Sequence, residues 1–573
     1  MTSFQEPMIS IKDQIKQALM DITKENSFDV SVSDKKDQGH YSSNLAMVIA
    51  KKKGEKPMSL AEEIAAKVRA GVLGQIFEKI EAASPGFINF WFSEDYLRKS
   101  FSDAYEGRKD YGKSRIGKGQ KVIIEYSSPN IAKPMHVGHL RTTIIGDAIS
   151  NIYEFLGYEV VRWNYVGDWG TQFGKLLAAY KIWGDEVVVK KDPIGELLKL
   201  YIRFSKEEKD NVELQGKGQE EFRKLEAGDR ENKKIWEWIR KESLKEFDKI
   251  YAVLGIEFDQ VVGESFFEGE VDKLVEDLLK KKLVEVSEGA VILRLDQFGL
   301  STTLLKKSDG ASLYLTRELA NLRYRLKKFK PSKIFYVVAN EQSLHFEQLF
   351  AASKLLGWDQ ADLKHIKFGL TLGEDGKKFA TREGNLIPLS DVLGKAVELA
   401  YEVVNQKNPD LTDEEKLKVA QVVGVGALKY YDLKENRLSD IVFDWKRMLD
   451  LKGNSAPYIL YAYARLSGIL KKGFSDGGAS YNALCGDLDF ALIRKVLQFP
   501  DVVVEASEAV MTSGLAKYLY ELASLANRFY EEVPVLKDED ELRRNARLNL
   551  IDMVRVVLEK GLGLLGIKVL EDI

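Results

Sequence analysis

Cysteine is nearly missing from this chain. One residue, Cys485, stands among 573, which excludes a disulfide framework and any zinc site built from several thiolates, and fits a reducing compartment. Histidine is scarce too, with five in all, so a histidine-rich metal centre is not expected and no protein-bound metal is assigned. No run of about 18 apolar residues occurs. The opening MTSFQEPMISIKDQ lacks the basic-then-apolar layout of a secretory leader. These absences predict a soluble, cytoplasmic protein with no membrane partner. Charge of one sign is also not in excess. There are 85 Lys+Arg against 88 Asp+Glu, a net of −3, so any nucleic-acid binding must rest on local patches. No internal repeat or low-complexity segment is present. What remains is an ordinary globular balance, 45% hydrophobic and 30% charged. The length suggests about four domains, or three with insertions.

Periodicity divides the chain. In residues 1–110, Ile11–Ile22 has apolar residues at helical spacing, Leu60–Val72 reads as a second helix after Pro57, and Phe87–Phe92 reads as an aromatic strand. That mixture predicts a small α+β domain, followed by a polar linker over Arg108–Gln120. From Lys121 the pattern becomes strand, loop, helix, strand: KVIIEY, then SSPNIAKPM, then a helix from about His136 to Leu156 stopped by Gly157, then Glu159–Tyr165. This is a βαβ unit and hence a parallel sheet. The theme returns with a strand at Ile334–Ala339, a helix at Ser343–Leu356 and a short strand at Lys367–Leu372. The charged, helix-prone stretch 185–235 reads as an inserted helical subdomain. From Leu389 nearly everything is helical. The predicted fold is therefore multidomain α/β: an N-terminal α+β domain over 1–110, a Rossmann-like parallel-sheet domain over 118–388, and an all-α bundle over 389–573.

The chemistry concentrates in three places. In the first, His136-Val137-Gly138-His139 opens a helix after a strand. A helix N-terminus carries about half a positive charge and free N–H groups, so it attracts anions. Gly138 lets a flat ligand approach the backbone. Imidazoles there can donate to phosphate oxygens as charge develops, and Lys133 adds a mobile cation. In the second, Lys377-Lys378-Phe379-Ala380-Thr381-Arg382-Glu383-Gly384-Asn385 is a basic, Gly-containing loop; composition alone reads it as a solvated turn. In the third, Glu125 sits in an apolar strand. A carboxylate there either faces solvent at the strand's end or needs a cation, from a ligand or an internal Lys or Arg. Asp168-Trp169-Gly170 and Gln172 follow the second strand, at the edge where open sheets bind ligands. Near the C-terminus, Tyr458, Tyr461 and Arg465 share a helical face that either packs in a core or stacks bases.

HVGH resembles the HIGH signature of class I aminoacyl-tRNA synthetases. SSPNIAKPMHVGHLRTTIIGDAI and NYVGDWGTQFG are similar to the arginyl-tRNA synthetase family in particular. So are GHYSSNLAM and PGFINF near the N-terminus, SDGASLYLTRELA and NEQSLHF in the second half, and GNSAPYILYAYAR in the helical region. The resemblance implies a ligase that uses ATP with bridging Mg²⁺, L-arginine and tRNA(Arg), usually with tRNA bound before arginine is activated. A monomer is expected.

The resemblance also implies site roles. His136, His139 and Lys133 would be catalytic. Pro129, Gly138, both imidazoles, Lys378, Thr381, Arg382, Gly384 and Asn385 would surround ATP. Glu125, Asn130, Tyr314, Glu318 and Gln342 would hold arginine, with Asn130 and Gln342 at its α-amino and α-carboxyl end. Asp168, Trp169 and Gln172 would form the active-site floor or meet the tRNA 3′ end. For His345, ATP contact and core packing are both open. Phe87, Asn89 and Trp91 would meet the tRNA elbow, and Tyr458, Tyr461 and Arg465 the anticodon. The family's KMSKS loop is represented only by KKFATREG, with Thr381 in place of its second lysine, and Lys133 matches the lysine that many arginyl enzymes carry ahead of HIGH instead. Glu318 stands where Asp is usual, and His40 likewise.

Three other readings weigh against this one. A cysteinyl enzyme of class I would need several cysteines. A small-molecule adenylyltransferase needs no long helical appendix. A non-catalytic tRNA-binding relative should have lost His136, His139 or Asn130, and all three are present.

Overall fold

Apolar residues at helical spacing, followed by short aromatic strands, build the first unit of the computed structural model, which describes residues 11–33, 38–308, 310, 313–373, 375–377, 379, 387–473 and 478–571. Helix α1 (Ile11–Thr23) buries Ile15 and Leu19 completely. It packs on an antiparallel sheet of β1 (Val30–Val32), β2 (Tyr41–Ser43), β3 (Phe77–Ala83) and β4 (Phe87–Phe92), in the order β1-β2-β4-β3. Helices α2 (Leu45–Lys53) and α3 (Pro57–Ala70) cross between β2 and β3. The sequence reading missed α2, a short helix of small apolar residues ended by left-handed Gly54, and it started α3 three residues late. Pro57 belongs in the first helical turn, where its missing N–H costs nothing. Helix α4 (Glu94–Glu106) leads into the linker.

The central sheet is parallel, in the order β12-β11-β5-β6-β7. Strand β5 (Lys121–Glu125), helix α5 (Val137–Phe155) and strand β6 (Glu159–Val166) form the expected βαβ unit. The inserted helices follow: α6 (Thr171–Trp183), α7 (Glu186–Lys191), α8 (Pro193–Glu207), α9 (Lys217–Glu226) and the long α10 (Arg230–Leu254). Strand β7 (Gln260–Gly263) closes one edge of the sheet. Helix α11 (Glu268–Lys280) comes next, then a small antiparallel sheet of β8 (Glu285–Ser287), β9 (Ala290–Leu293) and β10 (Thr303–Lys306) that the sequence reading did not predict. Helix α12 (Tyr314–Phe329), strand β11 (Lys333–Tyr336), helix α13 (Ser343–Leu355) and strand β12 (Asp362–His365) complete the opposite edge.

Alternation along β5 sorts its two faces. Val122 and Ile124 join the large core with α5 and the C-terminal helices. Ile123 joins a second core with Trp163, Tyr165, Tyr336 and α11–α13. The sheet switches direction between β5 and β11, so their carboxyl ends splay apart and leave a crevice.

Two strand expectations need correction. The strand expected at Ile334–Ala339 ends at Tyr336. The one expected at Lys367–Leu372 is displaced: the edge strand is Asp362–His365, and only β13 (Thr371–Leu372) is extended and paired, with β14 (Ile441–Val442) outside the main sheet. The backbone there is captured by side chains. Arg141 donates to the carbonyls of Gly369 and Leu370, and the Gly369 N–H goes to the Arg437 carbonyl.

From Leu389 the chain is helical apart from β14: α14 (Leu389–Lys407), α15 (Asp413–Leu433), α16 (Trp445–Met448), α17 (Ala456–Gly473), α18 (Asp487–Leu497), α19 (Phe499–Ala509), α20 (Ser513–Glu532) and α21 (Glu541–Leu564). Arg141 of α5 ties this half to the sheet, because its buried guanidinium also meets Asp432 of α15 at 2.9 Å. Burial raises the Asp432 carboxyl to about 6, although Arg141 pulls it down.

Arg141→Met strands this carboxylate, and a buried charge without its partner costs about 3–5 kcal/mol. A carboxyl whose folded-state pKa is raised costs stability above that pKa and nothing below its unfolded value. The loss, read by urea denaturation with tryptophan fluorescence, is therefore expected to be larger at pH 8 than at pH 5. A pH-independent loss would show that Asp432 is not the group left unpaired.

Candidate active site

The residues after β5 do not continue the strand. Ser127 and Ser128 both take left-handed backbone angles, φ +70° and +47°, and Ala132 takes φ +60°. Side-chain-bearing residues adopt this region only when their surroundings over-determine it. Here they do. The Ser127 N–H donates to Thr142 Oγ1 on α5 and the Ser128 N–H to Asn164 Oδ1 on β6, both at 3.1 Å. The Ala132 N–H donates to Ser243 Oγ on α10 at 2.9 Å, and Ser127 Oγ meets the Tyr251 hydroxyl at 2.8 Å. Gly167 completes the turn by exchanging backbone bonds with Pro129 and Ile131. A Cβ on Gly167 would lie 1.9 Å from Asn130 Oδ1, so only glycine lets Asn130 lean across.

The turn delivers the chain to α5. His136 is the N-cap, and its Nδ1 accepts from the Gly138 N–H at 3.1 Å. His139 Nδ1 in turn accepts from the His136 N–H at 3.1 Å. The rings lie 4.0 Å apart, centroid to centroid. An imidazole whose Nδ1 accepts carries its proton on Nε2. Burial lowers both pKa values, His139 to about 3 with help from His136, so both rings are neutral Nε2–H donors near pH 7. The segment after the KKFATREG loop pairs with this corner: the Val137 N–H donates to the Ile387 carbonyl and the Leu389 N–H to that of Met135. The near side of the loop is held by Phe379, stacked on Phe443 at 4.4 Å. Lys378, Thr381, Arg382, Gly384 and Asn385 lie outside the described residues.

A cleft of about 620 Å³ opens between these elements. Glu125, Asn130, His136, Gly138, His139, Tyr314 and Gln342 all line it, so one cavity gathers both imidazoles and four of the five residues expected around arginine. Glu318 does not line the cleft; it lies behind, 1% exposed, bonded to the Tyr314 hydroxyl and with Oε2 unpartnered. Burial, and then Glu125, push its carboxyl far up. Glu125 pairs with an internal cation, Arg325 of α12, which is fully buried against the Trp163 ring at 4.4 Å. Of the options read from the sequence the structure shows the internal cation, and Glu125 also faces the cleft.

Other expected residues lie around the cleft. Lys133 Nζ sits over the Tyr201 ring at 4.9 Å, and His345 packs on Tyr314 at 4.7 Å; neither they nor Pro129 line the cavity. Gln172 is in the first turn of α6, also outside it. Asp168 is fully buried, holding Ser265 and Arg240, and Trp169 packs against Phe222 and Trp236. In the N-terminal unit Phe87 is exposed and Trp91 lies under Lys79, but Asn89 is buried and accepts from Ser42 Oγ. Arg465 is sandwiched between exposed Tyr461 and Tyr530, each 4.8 Å away, whereas Tyr458 packs on Tyr520. The sequence reading did not single out Glu264, Tyr165 or Arg141, which also line the cleft. Glu264 follows β7, Tyr165 lies near the carboxyl end of β6 and Arg141 is in the second turn of α5; for the first two, a place at a strand's carboxyl end was the one signal available. Among the described residues no cluster of three or more His, Cys, Asp or Glu side chains could hold a metal ion, and no helix is long and apolar enough to cross a membrane.

The chain as a whole is similar to known proteins. Residues 104–445 match the family model for the catalytic domain of class I tRNA synthetases (R), 459–573 the DALR anticodon binding domain, and 10–92 the arginyl tRNA synthetase N-terminal domain. An arginine–tRNA ligase of Enterococcus faecalis is 42% identical over 530 residues, 92% of each chain. Arginine–tRNA ligase 2 of Bacillus anthracis is 40% identical over 554 residues, 96% of this chain and 97% of its own. The crystal structure of arginyl-tRNA synthetase from Plasmodium falciparum superposes with a TM-score of 0.85 at 30% identity, covering 99% of this chain and 100% of that one.

The tautomers give a direct check. Imidazole ¹⁵N shifts of His139 are expected to show Nε2 protonated and Nδ1 bare, unchanged from pH 8 to pH 5. A titration near pH 6 would contradict the cap geometry.

Proposed function

The chain belongs to the class I arginyl-tRNA synthetases, and we propose from that premise that the cleft at the carboxyl edge of β5 and β11 carries both halves of its reaction. The protein is an ATP-dependent arginine–tRNA ligase. Arginine's carboxylate attacks the α-phosphate in line, pyrophosphate leaves, and arginyl-adenylate forms. The terminal adenosine of tRNA then takes the arginyl group and AMP departs. Activation needs no general base, because the attacking carboxylate is already ionised. Positioning and charge stabilisation do the work.

The observation that carries this assignment is the pair of neutral Nε2–H imidazoles at the tip of α5, on the same cavity as Glu125, Asn130 and Gln342. The imidazoles donate to phosphate oxygens beside the N–H groups of the helix end. Asn130 and Gln342 hold the α-amino and α-carboxyl end of arginine, Glu125 and Tyr314 its guanidinium, and Glu318 supports Tyr314 from behind. Lys133 serves the pyrophosphate, and Lys378, Thr381, Arg382, Gly384 and Asn385 are assigned to the nucleotide by resemblance alone. Mg²⁺ would come as part of the nucleotide substrate and would supply charge neutralisation of its phosphates, a role that needs no all-protein cage. Asp168, Trp169 and Gln172 brace the route of the tRNA 3′ end. Residues 1–110 meet the tRNA elbow through Phe87 and Trp91, and 389–573 meet the anticodon through Tyr461 and Arg465. The enzyme works as a cytoplasmic monomer.

ATP–pyrophosphate exchange is expected to depend on L-arginine and on tRNA; exchange driven by another amino acid would refute the assignment. Lys133→Ala should lower kcat by about tenfold or more, as for loss of one phosphate-directed donor. An unchanged rate would return the pyrophosphate role to Lys377, Lys378 or Arg382. Glu125→Gln should raise the KM for arginine and leave that for ATP in place, and the reverse pattern would remove Glu125 from guanidinium binding.

A further inference from the structure

The cleft has two ends. Tyr165 and Glu264 line it at the ends of β6 and β7, on one side of Glu125. Phe368, Gly369, Leu370 and Thr371 line it on the other side, in the segment that follows the edge strand β12. With the amino acid at Glu125 and the phosphates at the tip of α5, the β12 end is the space left for the nucleoside.

This wall follows the sheet in sequence, yet much of its backbone is bonded elsewhere. Toward the sheet, the Asn340 N–H donates to the Phe368 carbonyl at 3.0 Å. The next backbone groups are taken by residues 437–443 of the helical half. The Gly369 N–H donates to the Arg437 carbonyl at 2.9 Å, and the Leu370 N–H to Asp440 Oδ1 at 2.6 Å. The Ile441 and Phe443 N–H groups donate to the carbonyls of Leu370 and Leu372 at 2.9 and 2.8 Å. A Cβ on Gly369 would lie 2.6 Å from Asp440 Oδ1 and from the Ser439 carbonyl oxygen, so glycine lets the wall lie flush on this loop.

Arg437 fixes the loop in turn. Its Nη1 donates to the Lys367 carbonyl, just ahead of the wall, and its Nε to the Val510 carbonyl at 3.1 Å. The planar fork spans two acceptors that a single ammonium could not reach together. Val510 is the C-cap of α19, 1% exposed and left-handed at φ +49°. A β-branched residue holds that conformation only where its surroundings force it, so the acceptor is itself rigidly placed. One side chain thus ties the cleft wall to the turn between α19 and α20, deep in the helical half.

We propose that Arg437, which does not line the cleft, is a positioning residue for ATP: it holds residues 368–371 at the separation from α5 that the nucleoside needs, and it sets that separation from the helical half. The proposal rests on the ATP reading of the cleft. Arg141 reaches the same wall from α5, donating to the carbonyls of Gly369 and Leu370 and, at 3.5 Å, to that of Arg437. The wall is therefore gripped from both sides. Without the Arg437 grip it shifts relative to the imidazoles. Glu125 on β5, Asn130 bridged to Gly167 and Tyr314 on α12 are held by other elements and stay in place.

The test uses the full-length enzyme with tRNA in the exchange assay. Arg437→Met is expected to raise the KM for ATP by about tenfold, the scale of a small displacement of a binding wall, and to leave the arginine KM within about twofold. Equilibrium binding of a non-hydrolysable ATP analogue, measured without tRNA, should weaken by the same factor. Arg437→Lys, which reaches one carbonyl but not both, should fall between wild type and Arg437→Met. Asp440→Ala, which frees the Leu370 N–H, should move the ATP constant in the same direction. An unchanged KM for ATP overturns the proposal, and so do equal rises for ATP and arginine, which would mean general loosening of the fold. Should Arg437→Met fail to fold, Arg437→Lys and Asp440→Ala carry the same comparison of ATP with arginine. Wild-type exchange that does not respond to arginine would instead sink the underlying reading of the cleft, so the two failures are distinct.

Discussion

The site depends on a backbone constraint. Immediately after β5 the chain turns through two successive left-handed serines, and each is held by a hydrogen bond from a different element. Strain of about 1–3 kcal/mol per residue is tolerated because α5, β6 and α10 all grip the same few atoms. The consequence is geometric. The strand's last carboxylate, the amide of Asn130 and the N-terminus of α5 are turned toward one cavity instead of being spread along the sheet edge. Loosening the turn would separate the group that holds the amino acid from the groups that hold the nucleotide.

Around that turn, charge is distributed in two layers. At the tip of α5 the protein offers neutral donors and a helix end, which suits phosphate without burying a fixed cation. On the opposite wall it offers the carboxylates of Glu125 and Glu264, with Arg325 and Arg317 behind them. A ligand with an anionic and a cationic end is thereby oriented by both walls. The two layers lie on opposite faces of the sheet: α5 packs with the large core, and Arg325, Tyr314 and Glu318 ride on α12 against the second core. Their relative placement is a property of the sheet itself, which makes it rigid.

Connections to the rest of the molecule run through buried polar atoms. Arg141 joins α5 to the segment before the basic loop and to α15, and Lys429 of α15 donates to the carbonyls of Leu254 and Gly566. Asp168 joins the inserted helix α10 to the turn that carries Glu264. The helical insertion and the C-terminal helices are thus bonded directly to the walls of the cleft, so displacement of either bears on its shape.

The sequence by itself determined the βαβ core, the helical C-terminal half, the FINFWF strand and the imidazole pair at a helix tip, because those depend on local periodicity and on residue types whose chemistry is local. It also grouped Asn130, Tyr314 and Gln342, through motif resemblance alone, and the three line one cavity. It could not locate the edge strand near 365, where long-range arginine bonds override the local apolar pattern of Lys367–Leu372. Nor could it show that Glu125 already has Arg325, two hundred residues away, or that Glu318 stands behind the cleft while Glu264 lines it. Carboxylates are alike in sequence. Which one faces a ligand, which is paired and which is kept from water is decided by the packing of separate strands and helices, and only the tertiary structure fixes that.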